Sequence, residues 1–299
     1  MRIQWGLAAL IFVLCASARG AEPPARTVVV LSREIRPYLV AVEALEKAIP
    51  HPVQRLYLED GPSQITDTLR DPTTPLHAVV TVGPEATDLV AASQPNAPIL
   101  ALMVLHAPEA LQGHAPSSAI VLSIPVDEQV AWIHRLFPHV TTVAVLSATE
   151  PPRGPHESIA NGPSPSFPVR TLPLAVTDSP AWERALQKAA AASAQAVLFL
   201  PHGQLSSTAV IRHVVRHAVL RRLLAVGYNR LFLEAGAAAA FLFDPEATGT
   251  AAAQLLTSPG WGRDSMVMHA PYRVVLRAST LRHLHLKVPD PLPLKVFVE

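Results

Sequence analysis

Cysteine is almost missing from this chain. Of 299 residues only Cys15 is a cysteine, and it falls inside the leading apolar segment. Removal of that segment leaves no thiol, which excludes disulfides, thiol catalysis and cysteine-based metal sites. Surplus charge is missing too: 24 basic side chains stand against 23 acidic ones, a net charge of +1. That balance offers no electrostatic reason to expect nucleic acid or an anionic membrane as the main partner. Glycine is sparse, 13 against 30 prolines, so the connections are stiff and punctuated rather than flexible. A Walker phosphate loop, a Rossmann glycine fingerprint, a nucleophile elbow and a zincin motif are all absent. "GWGR" (260–263) lacks a third glycine and follows no convincing strand, so it reads as chance.

What is present is enough apolar material, 49% of residues, to bury a large core in one or two domains. The first twenty residues read as a secretory signal. Arg2 supplies the positive start, Leu7 to Leu14 the short apolar run, and Ala16 to Gly20 the small residues for cleavage, with Ala18-x-Gly20 as its end. The run is too short for a membrane anchor, which needs about twenty apolar residues. A lipoprotein would acylate Cys15, but Phe12-Val13-Leu14 is bulky where small residues belong. The expectation is therefore a soluble mature form, periplasmic or secreted, with no stable membrane insertion and with lipid anchoring at Cys15 as the second reading.

From Thr27 onward, short apolar runs alternate with helical stripes. "TVVVLS" (27–32) is β-branched, and "PYLVAVEALEKAI" (37–49) is an amphipathic helix opened by Pro37. "VQRLYLE" is a strand, "SQITDTLRD" a short helix capped by Ser63, and "AVVTVG" a third strand leading into "PEATDLVAAS". "PILALMVL" and "SAIVLSIP" bring the strand candidates to five by Pro125. The rhythm restarts with the helix "VDEQVAWIHRLFP" (126–138) and the strand "TVAVLSA" (142–148), then runs through "VRTLPLAV", "SPAWERALQKAAAA", "AVLFLPHG", "SSTAVIRHVVRHAVLRR" and "LLAVGYN". The proline-rich segment 150–168 reads as a long surface loop. "AGAAAAFLFDP" parses as a turn at Gly236 and a buried strand selected by tight packing, since alanine has poor strand propensity; Pro245 then opens the next helix. Strands alternating with helices argue for parallel sheets built from right-handed crossovers, and two series of comparable length argue for two α/β lobes.

In parallel α/β folds, ligands gather at the carboxyl ends of strands. The candidates there are Ser32, Arg33, Glu34, Gly83, Pro84, Met103, Ser147, His202, Tyr228, Asn229 and Asp244, drawn from both series. No catalytic residue, metal or cofactor is assigned. His213 and His217 stand four apart, where they could share a helix face as metal ligands. Without an identifiable third ligand, and with four arginines in the same segment, they read as a solvated basic face. A nucleic-acid reading of that face lacks interleaved aromatics. His283 and His285 read as surface residues.

A signal segment followed by two α/β lobes resembles a periplasmic substrate-binding protein of an ABC importer. The likeness is carried by "AVVTVGPEATDLV" (78–90), by 118–147, by 197–256 with its "AGAAAA" turn and following helix, and by "YRVVLRASTLRHLHLKVP" (272–289). It is to the ABC transporter substrate-binding protein family with the type I periplasmic-binding fold, whose characterised relatives include binders of aromatic amino acids. The resemblance implies two three-layer parallel-sheet lobes joined by a hinge. Lobe 1 is expected over 27–125 with 245–262 returning to it, lobe 2 over 126–244 with 263–289, and a tail over 290–299. It also implies a small-molecule ligand, an amino acid or other small organic anion, and an ABC permease in the inner membrane as partner. Two departures stand out: the proline-rich loop replaces the helix expected after "TVAVLS", and Arg277 stands where the family commonly has asparagine. A sensor that feeds a signalling partner is the alternative function. A secreted hydrolase using Ser32, a histidine and Glu34 is a more distant one, because neither the required turn nor the partner spacing is visible.

Overall fold

A computed structural model describes residues 26–299 apart from 74, 107–108, 115, 148–168, 177–178, 202–204, 206 and 288–289. The expected signal segment with Cys15, the proline-rich loop and His202 lie outside the described residues. No helix among those described is long and apolar enough to cross a membrane.

The chain divides into two compact units, residues 1–119 with 250–267 and residues 120–249 with 268–299. It passes from one to the other within single elements rather than along loose linkers.

The first unit is built on a six-stranded sheet. Its chain order is β1 (Arg26–Leu31), α1 (Arg36–Ala48), β2 (Val53–Tyr57), α2 (Pro62–Arg70), β3 (Leu76–Val82), α3 (Pro84–Ser93), β4 (Ile99–Val104) and β5 (Ser117–Val121), with β11 (Val267–His269) arriving late; the spatial order is β11-β5-β4-β3-β1-β2. β1 pairs in parallel with β2 and β3, and β3 with β4. This is why "TVVVL" is apolar without alternation: helices cover both faces of a parallel sheet, and Val28 to Leu31 are completely buried. Helix α2 corrects one expectation. It starts at Pro62, with Gly61 as its cap at φ 106°, so Ser63 lies inside the first turn and makes no cap. Proline's fixed φ begins the helix two residues earlier than a Ser63 cap would.

The second unit holds α4 (Val126–Leu136), β6 (Thr142–Ser147), β7 (Arg170–Ala175), α5 (Ser179–Ala191), β8 (Ala196–Phe199), α6 (Thr208–Leu220), β9 (Leu224–Gly227), α7 (Arg230–Glu234), β10 (Ala239–Phe243), β12 (Tyr272–Leu276), α9 (Ala278–His283) and β13 (Val296–Val298), while α8 (Pro245–Leu256) starts in it and continues from Thr250 in the first unit. Its seven strands lie in the order β13-β12-β10-β9-β8-β6-β7. β7, β6, β8, β9 and β10 run parallel, whereas β12 is antiparallel to β10 with Tyr272 opposite Phe243.

Ala237 to Ala240 are fully buried or nearly so. Their small side chains let them pack on both faces: Ala237 joins the cluster of Trp182, Phe199 and Phe232, whereas Ala238 and Ala239 join that of Phe241 and Tyr272. Gly236 makes the preceding turn at φ 103°, a left-handed value that glycine adopts without a Cβ penalty. Arg277 also has a specific place. Its guanidinium donates to the Leu233 carbonyl and to Ser279 Oγ, tying the start of α9 to the end of α7.

Candidate functional site: the carboxyl edges of the two sheets

In the first unit the ends of β1, β3 and β4 are knit together by their own backbones. Ser32 N–H donates to the Val82 carbonyl and Gly83 N–H to that of Leu102, both at 2.9 Å. Gly83 holds φ 94°, and a Cβ there would sit 2.7 Å from Ser32 Oγ and 2.8 Å from the Tyr38 hydroxyl. The glycine therefore lets a serine, a tyrosine and the start of α3 converge on one spot. Ser32 Oγ accepts from Ala86 N–H at 2.8 Å, satisfying one of the orphan amides that open α3.

Pro84 is the first residue of that helix, and Glu85 follows it. Arg33 Nη2 donates to Glu85 Oε1 at 2.8 Å on the exposed rim. The Glu85 carboxyl is held below its usual range chiefly by its own backbone N–H, with further help from Arg33 and the Ser32 hydroxyl. Tyr38 is shifted upward, first by burial and then by the Glu85 charge. Glu34 stands exposed beside this cluster. Met103 is buried within the end of β4 at φ 57°, a left-handed conformation uncommon for a non-glycine residue and costing of order 1–3 kcal/mol. Ile35 and Leu105, large apolar side chains, are exposed near the same strand ends.

In the second unit Ser147 ends β6, and Tyr228 and Asn229 follow β9. Tyr228 packs its ring 5.1 Å from that of Phe232 and donates its hydroxyl to the Leu205 carbonyl at 3.1 Å. Asn229 precedes α7 but makes no side-chain cap, and its Oδ1 is buried without a hydrogen-bond partner among the described residues. Such an acceptor costs about 1–3 kcal/mol if left unpaired. Asp244 ends β10 and caps α8 through Ala247 N–H to Oδ1 at 3.1 Å.

Beside β10, Tyr272 begins β12 at the same edge. It accepts from Trp132 Nε1 at 2.9 Å and donates to the Glu128 carboxylate. Burial raises its phenol, and the hydrogen bond to Glu128 adds to the effect. A groove of about 480 Å³ runs along α4, lined by Glu128, Ala131, Trp132, His134 and Arg135, with the Arg135 guanidinium 5.3 Å from the Trp132 ring centre.

Thus Ser32, Arg33, Gly83 and Pro84 come together in the first unit, with Met103 buried alongside and Glu34 on the rim. Ser147, Tyr228, Asn229 and Asp244 stand at the ends of β6, β9 and β10 in the second, with β8 between β6 and β9. Glu85, at the same strand end as Gly83 and Pro84, joins them, and so do three residues that sequence reasoning did not select: Tyr38 in the first unit, Glu128 and Tyr272 in the second. The Tyr272–Glu128 pair spans 144 positions and leaves no local signal.

Two units of this construction occur together in solved structures. The chain matches a ligand-free, open substrate binding protein with adhesive properties from Clostridium difficile at 13% identity, covering 92% of this chain and 99% of that one with a TM-score of 0.67. The fold is that of the type I periplasmic binding proteins. AraP, an arabinose binding protein from Geobacillus stearothermophilus, matches at 13% identity, 88% and 99% coverage and a TM-score of 0.57. An ABC domain in complex with L-Trp from Streptococcus pneumonia matches at 12% identity, 93% and 100% coverage and a TM-score of 0.54. No family model matches the sequence, and no curated protein does.

Proposed function

We propose that the chain is the periplasmic solute-binding component of an ABC-type importer, closing its two units over a small organic ligand held by the strand-end loops. The observation that carries this reading is the chemistry of those ends. Both sheets have mainly apolar interiors, with Thr27, Thr81 and Thr171 as buried polar members, and finish at the carboxyl edge in polar and aromatic groups. One of these, Asn229 Oδ1, is a buried acceptor with no donor among the described residues. A ligand N–H or O–H would supply the missing donor.

Arg33 is the cation suited to a ligand carboxylate, exchanging Glu85 for it. The exposed apolar pair Ile35 and Leu105 suits a ligand with an apolar portion. An amino acid meets both requirements, and solved structures of this fold include one in complex with L-Trp and one described as arabinose binding. An ABC permease in the inner membrane is the partner this reading requires; a signalling partner would use the same ligand site. Turnover is disfavoured because Ser32 Oγ is committed to the Ala86 amide and the neighbouring Glu85 carboxyl is kept acidic, so no base among the described residues is set to activate it.

Calorimetry and thermal melts on tag-free mature protein, with a panel of amino acids, sugars and small anions, test the proposal. One class of compound should bind and raise the melting temperature. Asn229→Ala should weaken that compound by about tenfold, the loss of one buried hydrogen bond. A panel without binders, together with mass spectrometry finding nothing co-purified from the native compartment, would count against it. Hydrolysis of generic ester or phosphate substrates would restore the enzyme reading.

A further inference from the structure

Helices α5 and α6 pack side by side in the second unit. Trp182, Ala185, Leu186 and Ala189 of one join Ile211, Val214, Val215 and Ala218 of the other in a single apolar cluster. Glu183 is one position past Trp182 and so emerges at the rim of that contact. His213 and His217, four apart on α6, emerge at the same rim. The third ligand that the sequence alone did not reveal is thus supplied by the neighbouring helix, thirty residues away.

Glu183 Oε1 lies 2.9 Å from His213 Nε2 and 3.8 Å from His217 Nε2. The two imidazole centres are 4.3 Å apart, and one ligand atom from each of the three residues falls within 4.8 Å of the others. Around one zinc ion, ligand atoms at about 2.0–2.2 Å from the metal stand roughly 3–3.6 Å from each other. The 2.9 and 3.8 Å separations from the Glu183 oxygen bracket that range.

The geometry points to a divalent transition-metal site made by Glu183, His213 and His217, with at least one coordination position open to solvent. Two imidazoles and a carboxylate form a borderline donor set that suits Zn²⁺, Co²⁺ or Ni²⁺ rather than Mg²⁺ or Ca²⁺. The site lies on helix surfaces that the proposed solute site does not use. Its occupation would clamp α5 to α6 and stabilise the folded unit.

One neighbour opposes it. Arg221 Nη1 stands 3.2 Å from His217 Nδ1 while also donating to the His217 carbonyl at 3.1 Å. A guanidinium only donates, so in this arrangement Nδ1 carries the lone pair and Nε2 the proton. Metal binding at Nε2 moves that proton to Nδ1 and requires Arg221 to let go of the ring. Arg212 and Arg216 add positive charge on the same helix. The affinity is accordingly moderate, and Arg221 is its brake.

The test is titration of the tag-free protein with Zn²⁺ by calorimetry and with Co²⁺ by visible absorption. The expected result is one equivalent bound per chain at this site, a rise in melting temperature, and at least a tenfold loss of affinity in Glu183→Gln and in His217→Asn. Arg221→Ala should bind severalfold more tightly, an outcome that generic binding by surface histidines does not produce. All three substitutions are at or near the surface, and unchanged circular dichroism checks that each variant is folded. Absence of binding, or affinity and stoichiometry unaltered in Glu183→Gln and His217→Asn, overturns the assignment.

Discussion

A single methyl group at position 227 should do more damage to this protein than its size suggests. Gly227 ends β9, and a Cβ built there would lie 2.1 Å from Phe232 Cγ, 2.3 Å from its Cβ and 2.6 Å from its Cδ1. Carbon atoms in contact normally stand about 3.5–4.0 Å apart. The clash includes Phe232 Cβ, which neither χ1 nor χ2 moves, so no rotamer of the ring clears it. Nor can the ring move away easily, because Phe232 is completely buried with Phe199 5.2 Å on one side and Tyr228 5.1 Å on another.

Simple overpacking costs about 1–3 kcal/mol. Loss of the phenylalanine from its site costs about 3–5 kcal/mol. A contact at the ring's base that rotation cannot relieve puts Gly227→Ala in the upper range. In a unit of this size that is a melting-temperature loss of roughly 2–4 °C for each kcal/mol. Denaturant titration followed by tryptophan fluorescence reads it directly, since Trp182 is buried with its ring 6.1 Å from that of Phe199.

Gly260→Ala is the matched control, having nothing within 4 Å of its added carbon. The decisive comparison is a double-mutant cycle. In a Phe232→Gly background the ring and the Cβ 2.3 Å away are both gone, and Gly227→Ala should then cost at least about 1 kcal/mol less than in the parent. Additive effects, or a Gly227→Ala protein within about 0.5 kcal/mol of the parent, would refute the packing argument.

Two further expectations concern the carboxyl edges. Gly83→Ala combines a left-handed φ of 94° with an added carbon 2.7 Å from Ser32 Oγ, and should destabilise the first unit by about 1–3 kcal/mol, measured by chemical denaturation; a neutral result would mean that Ser32 and Tyr38 yield freely. The Tyr272 phenol is raised by burial and by Glu128. Folded and unfolded chains both keep it protonated below about pH 10, and above that the unfolded chain ionises first, so its contribution to stability is lost as pH rises. Near-ultraviolet titration should show a late tyrosinate step that coincides with unfolding and is missing in Tyr272→Phe. Early ionisation of all tyrosines would contradict the buried hydrogen bond.

The alternation of elements was legible because parallel strands buried on both faces must be apolar without interruption, as in "TVVVLS" and "AVVTVG", and because Pro37 and Pro245 mark helix starts. The start of α2 was misread, since a serine looked like a cap while Pro62 had already opened the helix. The strand-end candidates could be named one at a time from Ser32 to Asp244, because the end of an apolar run is a local feature. Their partners could not. Arg33 meets Glu85 across 52 positions, Tyr272 meets Glu128 across 144, and Glu183 meets His213 across 30. Each contact joins elements that the chain's crossovers bring side by side, and no periodicity within one segment encodes it.

The same partners bear on how a solute could enter the proposed site. Ser32, Arg33, Tyr228 and Asp244 are all engaged within their own units, so a ligand must displace contacts or add to them. The Arg33–Glu85 pair is the easiest to exchange. It is exposed, with 69% and 46% of the two side chains accessible, and such pairs contribute only about 0–1 kcal/mol. A ligand carboxylate shielded from water beside Arg33 would gain more than that, while Glu85, held acidic mainly by its own backbone N–H, would keep its charge after losing the arginine. Ser32, by contrast, cannot leave the Ala86 amide without orphaning a buried donor. On the proposed reading, then, Arg33 is the group that changes partner, Ser32 and Gly83 form the fixed floor, and Asn229 Oδ1 is the acceptor that gains a bond without giving one up.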